Sequence, residues 1–236
     1  MTLERKARWV KDGHRTPEPE NCTYAGVVSR ESIRIALVYA SLNGLSVFGA
    51  DIQNAYLQAP TTEKHYIICG PEFGLENEGK IAVIVRALYG GKSAGADYWR
   101  HVRKAMEEMG FKSCKADPDV WMQPGTKDDG SEYWQYVLLY TDDILVIMCD
   151  PETFLRKEIG SRFTLKESSI GPPTQYLGTN KVSEVKLENG RSAWSFSSSQ
   201  YTQSAVKNVE ESLAREGKKL PTCVRSPWPT NYRPGS

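Results

Sequence analysis

The chain has 236 residues, of which 39% are hydrophobic and 25% are charged, a composition typical of globular proteins. Its 30 basic and 29 acidic residues give a formal net charge of +1, so the total does not indicate a strongly basic nucleic-acid module. No apolar run approaches the roughly 20 residues of a membrane span, and five cysteines without a CxxC pair favour reduced thiols over a disulfide framework.

The apolar patterning predicts helices and strands that alternate irregularly along the chain. A first helix over 29–45 begins at the N-cap residue Ser29 and ends at Gly44. A second helix follows Gly95 and ends before Gly110, whereas Pro60 is expected to stop any regular element. The other predicted elements are strands over 45–52, 65–69, 81–85, 120–122, 134–140 and 144–148, a helix from Asp150 to Gly160, a hairpin with arms 181–188 and 191–197, and a helix over 199–216.

Helices mixed with antiparallel hairpins, without strict βαβ alternation, predict an α+β architecture. We expect one domain over 1–220, followed by a proline-rich tail or linker over 221–236 that holds four of the thirteen prolines. The opposite end, over 1–23, is basic and polar. It is interpreted either as a solvated segment or as a basic strand that contacts phosphates.

Two adjacent carboxylates, Asp142 and Asp143, lie between two of the most apolar runs in the chain, 136–139 and 144–148. Both runs are short, which is typical of buried strands. No glycine is present at the connection to supply the positive φ that tight hairpin turns favour. Adjacent ionised carboxylates raise one another's pKa unless a cation lies between them, so the pattern indicates a cation site.

A third carboxylate, Asp51, lies near the end of a predicted strand, and the three together are a candidate metal site. Mg²⁺ prefers oxygen ligands, and two such ions about 4 Å apart serve in-line phosphoryl transfer. The three histidines are scattered, which disfavours a zinc site. The segment 90–93 lacks the earlier glycine of a phosphate-binding loop. A solvent-facing acidic turn remains the alternative, and spacing alone does not decide between the two.

A series of short motifs resembles, in order and spacing, the reverse transcriptase domain of copia-type long-terminal-repeat retrotransposons. The resemblance extends from Arg5 to about Arg233 and is specific as a set, although each motif alone is weak. The segment Tyr140-Thr141-Asp142-Asp143 is similar to the third palm motif, with Thr141 in place of the more usual valine. The other matching segments are Lys6-Ala7-Arg8-Trp9-Val10, Tyr24 to Arg34, Asp51-Ile52-Gln53-Asn54-Ala55-Tyr56-Leu57, Leu88-Tyr89-Gly90-Gly91-Lys92-Ser93 and Tyr176-Leu177-Gly178.

The resemblance implies a right-hand polymerase core with a palm of antiparallel sheet packed on helices, partial fingers and the start of a thumb. It implies an RNA-directed DNA polymerase that transfers a nucleotide from a dNTP to a primer 3′-hydroxyl. Asp51, Asp142 and Asp143 are then the catalytic carboxylates that hold two Mg²⁺ ions, with Mn²⁺ as a substitute. Family behaviour makes Asp51 and Asp142 the direct ligands and Asp143 more peripheral.

The resemblance also implies a set of nucleotide contacts. Tyr56 is expected under the sugar of the incoming nucleotide, where its bulk excludes a 2′-hydroxyl. The other implied positions are Lys6 and Arg8 at the triphosphate, Gly90 and Gly91 beneath the nucleotide with Lys92 nearby, Tyr140 and Thr141 beside the paired carboxylates, and Lys166 as proton donor to pyrophosphate.

The expected partners are an RNA template, a DNA primer, dNTPs and other segments of a retrotransposon polyprotein, with no membrane. The expected location is intracellular, in a cytoplasmic virus-like particle with a nuclear phase. The finger motif begins close to Met1, so preceding finger strands are expected to be missing. The alternative hypothesis is a catalytically silent remnant that at most binds nucleic acid or a protein. Intact carboxylates favour the polymerase, and short fingers favour the remnant.

Overall fold

The computed structural model describes residues 9–176, 180–188, 190 and 192–220. Every strand pair in these ranges is antiparallel, which confirms the predicted mixture of helices with antiparallel sheets. The helices are α1 (Arg30–Asn43), α2 (Ala55–Gln58), α3 (Ala94–Glu108), α4 (Pro151–Thr153, continued by a π-helix over Phe154–Ile159) and α5 (Ser199–Arg215). The strands are β1 (Ser46–Asp51), β2 (Pro60–Ile68), β3 (Ile81–Arg86), β4 (Lys112–Ser113), β5 (Val120–Thr126), β6 (Glu132–Tyr140), β7 (Asp143–Met148), β8 (Gln175–Tyr176), β9 (Asn180–Lys186) and β10 (Ser192–Ser197).

The largest sheet has the strand order β1-β7-β6-β5-β4 and contains the centre of the core. Within β7 every residue from Ile144 to Met148 is buried. Successive strand residues point to opposite faces, so this burial requires cover on both sides of the sheet. The helices α1 and α4 both contact β1 and β7. The continuous apolar run at 144–148 is therefore the run of a central strand.

The predicted start of α1 and the predicted C-terminal ends of α1 and α3 are confirmed, whereas α3 begins slightly earlier than predicted, at Ala94. The Ser29 side chain accepts a hydrogen bond from the backbone N–H of Ser32, which caps α1 at its start. Gly44 follows α1 with a φ of 61°, and Gly110 follows α3 with a φ of 87°. These left-handed conformations carry no Cβ penalty at glycine, so each helix ends where its sequence permits the chain to turn away.

The strands β2 and β3 form a separate two-stranded ribbon. The prediction that Pro60 stops regular structure is wrong, because β2 begins at that residue. A proline at the first position of a strand needs no N–H in the ladder, so it is tolerated there. One face of the ribbon is apolar and exposed, through Tyr66, Ile68, Ile81, Val83 and Val85.

A buried carboxylate, Asp97, joins this ribbon to α3. Its side chain is fully buried and accepts hydrogen bonds from the backbone N–H and hydroxyl of Thr62, and from the hydroxyls of Thr61 and Ser93. The Arg100 guanidinium donates to the same carboxylate at 2.6 Å. A buried charge is tolerated when it is paired and hydrogen-bonded, so Asp97 fixes the base of the ribbon on the helix.

Two further differences from the sequence predictions are local. The helix predicted from Asp150 to Gly160 has the expected N-cap, Asp150, but most of its length is a π-helix. The segment after Asp51, for which no helix was predicted, contains the single turn α2. The predicted tail over 221–236 lies outside the described residues. Within the described ranges, the helices are all too short or too polar to span a bilayer.

Candidate active site

The structure brings the three candidate carboxylates together. Asp51 ends β1 and Asp143 begins β7, and the two are directly paired in the antiparallel register of these strands. Asp142 lies in the two-residue connection between β6 and β7, next to Asp143. The backbone N–H of Ile52 donates to the carbonyl oxygen of Asp142 at 2.8 Å, which ties the end of β1 to this connection. Residues distant in sequence therefore share one edge of the central sheet.

The electrostatics of this edge are unfavourable without a cation. Burial raises the pKa of Asp143 to about 6, and the negative charges of Asp142 and Asp51 contribute to the shift. Burial, with a further contribution from Asp142, also raises the pKa of Tyr56. Each shift records the cost of negative charge at this edge, and an added cation would lower that cost. The carboxylate oxygens are also the ligand type that Mg²⁺ prefers, so the donor set fits this ion.

The carboxylates alone do not complete a metal site. Across the described ranges, no group of three or more His, Cys, Asp and Glu side chains is arranged to hold a metal ion. Mg²⁺ usually keeps several waters and binds one or two carboxylates together with substrate phosphates. Asp142 is exposed, whereas Asp51 and Asp143 are half-buried. The three carboxylates are therefore a candidate magnesium site that is not complete by itself.

The connection between β6 and β7 has a strained backbone. Tyr140 pairs with Asp143, so Thr141 and Asp142 are the two residues of the turn. Thr141 has a φ of 52°, in the left-handed region that favours glycine and asparagine. This explains how a hairpin without glycine closes here, at an energetic cost that a β-branched residue makes larger. Strain of this kind is often retained at functional sites.

A returning segment of chain holds Asp51 from the side opposite β7. The backbone N–H of Asp51 donates to the Ser169 hydroxyl at 2.8 Å, and its carbonyl accepts from the Lys166 N–H at 2.9 Å. The segment is also joined to β1 by isolated bridges, Gly49 with Gly171 and Ile52 with Leu165. Lys166 is exposed and lies beside the carboxylates through its backbone. Its predicted role in proton donation remains a prediction.

A cavity of about 490 Å³ lies between β1 and this returning segment. Both Asp51 and Asp143 are among the residues that line it, so two of the three candidate residues border an open space. The cavity is large enough to hold several non-hydrogen groups of a substrate. Its other lining residues include Lys166, Ser168, Ser169, Pro172, Thr174 and Gln175.

Tyr56 lies close to the carboxylates on α2. The turn is preceded by Asn54 in a left-handed conformation, with a φ of 49°, which asparagine tolerates better than most residues. The Tyr56 ring stacks on Tyr89, with centroids 4.9 Å apart, and lies 5.7 Å from the ring of Tyr98. A Cβ atom on Gly95 would lie 3.9 Å from the Tyr56 hydroxyl. Tyr56 is therefore half-buried in a small aromatic cluster at the edge of the site.

The loop with Gly90, Gly91 and Lys92 packs against the N-terminal segment. Gly90 has a φ of 81°, and a Cβ atom there would lie 2.1 Å from the carbonyl oxygen of Lys11, so only glycine fits. The Lys92 ammonium donates to the carbonyl of Thr16 at 3.0 Å and to the carboxylate of Glu18 at 2.6 Å. The predicted nucleotide contacts of this loop remain predictions.

Some predicted positions fall outside the described residues. These include Lys6 and Arg8 of the basic finger motif, and Leu177 and Gly178 of the primer-grip motif. The sequence interpretation assigned no individual role to two residues that contact the site, Ser169 beside Asp51 and Tyr89 beside Tyr56. Serine in a turn has no distinctive pattern, so Ser169 had no usable signal. Tyr89 directly precedes Gly90 in a motif that was expected near the nucleotide, and this position could have indicated a role for it.

Comparisons with known proteins agree with the resemblance. A family model described as "Reverse transcriptase (RNA-dependent DNA polymerase)" matches residues 2–222. The chain is 28% identical over 149 residues to the "Retrovirus-related Pol polyprotein from transposon RE1" of Arabidopsis thaliana, covering 61% of this chain and 10% of that protein. It is 28% identical over 151 residues to the corresponding RE2 polyprotein of that plant, with the same two coverages.

A shorter relative is the "Putative transposon Ty5-1 protein YCL074W" of Saccharomyces cerevisiae. The identity is 24% over 133 residues, covering 55% of this chain and 41% of that protein. The chain thus spans about a tenth of the length of the two plant polyproteins and under half of the yeast protein.

Proposed function

This chain belongs to the reverse transcriptase family of copia-type retrotransposons, and from that premise we propose that it catalyses RNA-directed DNA synthesis. The substrates are a dNTP and the 3′-hydroxyl of a DNA primer annealed to an RNA template. The observation that carries the proposal is the direct pairing of Asp51 with Asp143, beside Asp142, at an edge that opens into a cavity.

The three carboxylates hold Mg²⁺ in this proposal, with Asp51 and Asp142 as the direct ligands and Asp143 more peripheral. Two ions fit the family's chemistry, and Mn²⁺ is a substitute with similar preference for oxygen ligands. When bound, Mg²⁺ supplies stabilisation of the negative charge that develops on phosphate oxygens. The chain contributes by positioning: Ser169 and Lys166 fix the backbone of Asp51, so its carboxylate is held in place before substrate arrives.

Tyr56 excludes ribonucleotides in this proposal, because its ring occupies the space that a 2′-hydroxyl needs. The support is its place on α2, a few residues after Asp51, and the effect of the Asp142 charge on its pKa. Gly90 and Gly91 pass beneath the nucleotide, with Lys92, Lys6 and Arg8 toward the phosphates. Tyr140 and Thr141 orient the paired carboxylates, and Lys166 protonates the departing pyrophosphate.

The large sheet corresponds to the palm in this proposal, and the β2–β3 ribbon with the N-terminal segment corresponds to partial fingers. The sheet β8–β10 and α5 form the start of the thumb. Within a longer polyprotein the chain would act beside other enzymatic segments, in a cytoplasmic virus-like particle with a nuclear phase.

A primer-extension assay on an RNA template tests the proposal. We expect the wild-type chain to extend the primer with dNTPs and Mg²⁺, and Asp142→Asn to reduce the rate by at least about a hundredfold, the scale of a lost catalytic electrostatic contact. Asp128→Asn is the matched control, since Asp128 is an exposed aspartate in the β5–β6 loop. A folded wild-type chain that binds the primer–template without extending it would contradict the proposal and favour the silent remnant.

A further inference from the structure

Three tyrosine rings meet beside the carboxylates, and their arrangement restricts Tyr56. The Tyr56 and Tyr89 rings are stacked with an interplanar angle of 29° and centroids 4.9 Å apart. Tyr56 also contacts Tyr98 of α3, with an angle of 49° between the two ring planes. Tyr98 is only 3% exposed, so the surrounding core restricts its position. Offset stacking of this kind is favourable for aromatic rings. Tyr56 is thus held between a helix residue and a loop residue.

The loop residue Tyr89 is itself held by the N-terminal segment. Its carbonyl oxygen accepts a hydrogen bond of 2.6 Å from the backbone N–H of Lys11. A Cβ atom on Gly13 would lie 2.0 Å from the carbonyl oxygen of Gly90, so these two backbones are in close contact. Gly13 and Gly90 have no side chains, so the N-terminal segment can pack directly against the loop that contains Tyr89 and Gly90. This packing fixes the position of the loop.

The N-terminal segment is in turn attached to the ribbon. The Lys11 ammonium pairs with the Glu63 carboxylate at 2.9 Å, and both side chains are largely buried, with exposed fractions of 11% and 14%. Burial would raise the pKa of Glu63, but hydrogen bonds from Lys11 and His65 outweigh it and lower that pKa. A continuous series of contacts therefore runs from β2 through Lys11 and Tyr89 to the ring of Tyr56.

We propose that Tyr89 is a positioning residue for sugar selection, which holds the Tyr56 ring against the place of the 2′-carbon. The inference rests on the proposed function, in which Tyr56 faces the nucleotide sugar. A half-buried ring without a stacked neighbour can rotate about its χ angles. Rotation of Tyr56 would open the space that excludes a 2′-hydroxyl, without removing any group that contacts the reacting phosphate. Loss of Tyr89 should therefore reduce selectivity more than it reduces the rate with dNTPs.

The test compares kcat/KM for dATP and for ATP in single-nucleotide primer extension. We expect Tyr89→Leu, which removes the ring, to lower the dATP-to-ATP ratio by about tenfold or more, the scale of a lost pocket contact. Tyr89→Phe keeps the ring and is expected to keep the wild-type ratio. A general loss of structure would lower both kcat/KM values together, so the ratio separates positioning from stability.

Two tyrosine controls accompany this series. Tyr56→Ala sets the ratio for a chain without the excluding ring. Tyr66→Leu removes a tyrosine that is 70% exposed on the outer face of the ribbon and should leave the ratio unchanged. If Tyr89→Leu melts before assay temperature, Gly13→Ala provides the second variant, because it displaces the same loop from outside the site.

The outcomes separate the two proposals. A wild-type chain that extends no primer overturns the proposed function, and this inference with it. An active wild type in which Tyr56→Ala loses selectivity while Tyr89→Leu keeps it overturns this inference alone. Selectivity lost in Tyr89→Leu and recovered in Tyr89→Phe supports it.

Discussion

Asp51 and Asp143 occupy directly opposed positions on neighbouring strands, although about ninety residues separate them in the chain. Like charges in opposed positions destabilise a sheet, and both carboxylates are half-buried at its edge. Stability alone does not favour this arrangement. Residues that lower stability in this way are typical of sites retained for function.

The first prediction follows from the pKa of Asp143, which is about 6 in the fold because of burial and the charges of Asp142 and Asp51. The unfolded value is about 3.9, so the folded state binds the proton more tightly and stability falls as pH rises from about 4 to about 6. We expect Asp143→Asn to raise the free energy of unfolding by roughly 1–2 kcal/mol at pH 8, after allowance for solvent screening.

Urea unfolding in the presence of a chelator measures this effect at pH 8 and at pH 3.5. The gain should be close to zero at pH 3.5, where Asp143 is mostly protonated in both states. Asp128→Asn, on an exposed loop, controls for the loss of one charge. An equal gain for Asp143→Asn at both pH values would contradict the explanation.

The second prediction concerns added Mg²⁺. In the proposed function it binds the folded carboxylates and not the unfolded ones, so it should stabilise the wild-type chain. At a concentration 100 times the Kd the gain is about 2.7 kcal/mol. Calorimetric melting should show a higher Tm with MgCl₂ than with NaCl of equal ionic strength. The double variant Asp51→Asn/Asp142→Asn should lose this difference. A Tm increase of the same size in the wild type and in the double variant would show that the ion binds elsewhere.

The third prediction concerns backbone strain at Thr141, which has a φ of 52°. Asparagine adopts this conformation more readily than a β-branched residue. We expect Thr141→Asn to raise the free energy of unfolding by about 0.5–1 kcal/mol, a fraction of the usual left-handed penalty. Thr141→Val keeps the β-branch and should bring no such gain. Chemical denaturation of the wild type and the two variants measures these differences. A Thr141→Asn variant less stable than the wild type would contradict the explanation by backbone strain.

The fourth prediction concerns the buried carboxylate that attaches the ribbon to α3. Asp97→Asn replaces an acceptor of several hydrogen bonds with an amide and leaves Arg100 without its charged partner. We expect a loss of about 2–3 kcal/mol in the free energy of unfolding, as for other broken charged hydrogen bonds. Glu108→Gln, in an exposed pair with Lys104 at 3.9 Å, should change it by under about 0.5 kcal/mol. Similar losses in both variants would show that the burial of Asp97 is unimportant.

The fifth prediction tests the contact between Tyr56 and Tyr89 independently of activity. A double-mutant cycle with Tyr56→Leu and Tyr89→Leu should give a coupling free energy of about 0.5–1.5 kcal/mol, the usual value for a stacked aromatic pair. The same cycle between Tyr89 and the distant Tyr66 should give a coupling near zero. A coupling near zero in both cycles would mean that the stacked geometry contributes nothing to stability.

The local elements of the fold could be predicted because their signals lie within a few residues. Ser29, Gly44 and Gly110 mark helix ends through cap chemistry that depends on the residue itself. The apolar runs on either side of Asp142 and Asp143 predicted the β6–β7 hairpin for the same reason. In each case the residue type and the backbone conformation are directly linked.

The remaining features depend on contacts between distant segments. The residues near Thr141 in sequence do not predict its left-handed backbone conformation. The next residue, Asp142, accepts a hydrogen bond from the backbone N–H of Ile52, which is distant in sequence. The role of Ser169 beside Asp51 is likewise set by a returning segment of chain. The grouping of Asp51 with the other carboxylates was predicted from its place near the end of a strand and then supported by the order of the family motifs, because strand pairing over such a separation has no local signal.

The long separation between β1 and β7 also has a consequence for how the chain reaches its folded state. The β6–β7 hairpin joins neighbours in sequence and can form quickly, whereas β1 must close a long loop to reach it. During synthesis from the N-terminus, Asp51 leaves the ribosome well before Asp142 and Asp143 are made. β1 is therefore made before the strand with which it pairs. The carboxylates meet only when β7 has been made and this late non-local pairing is complete.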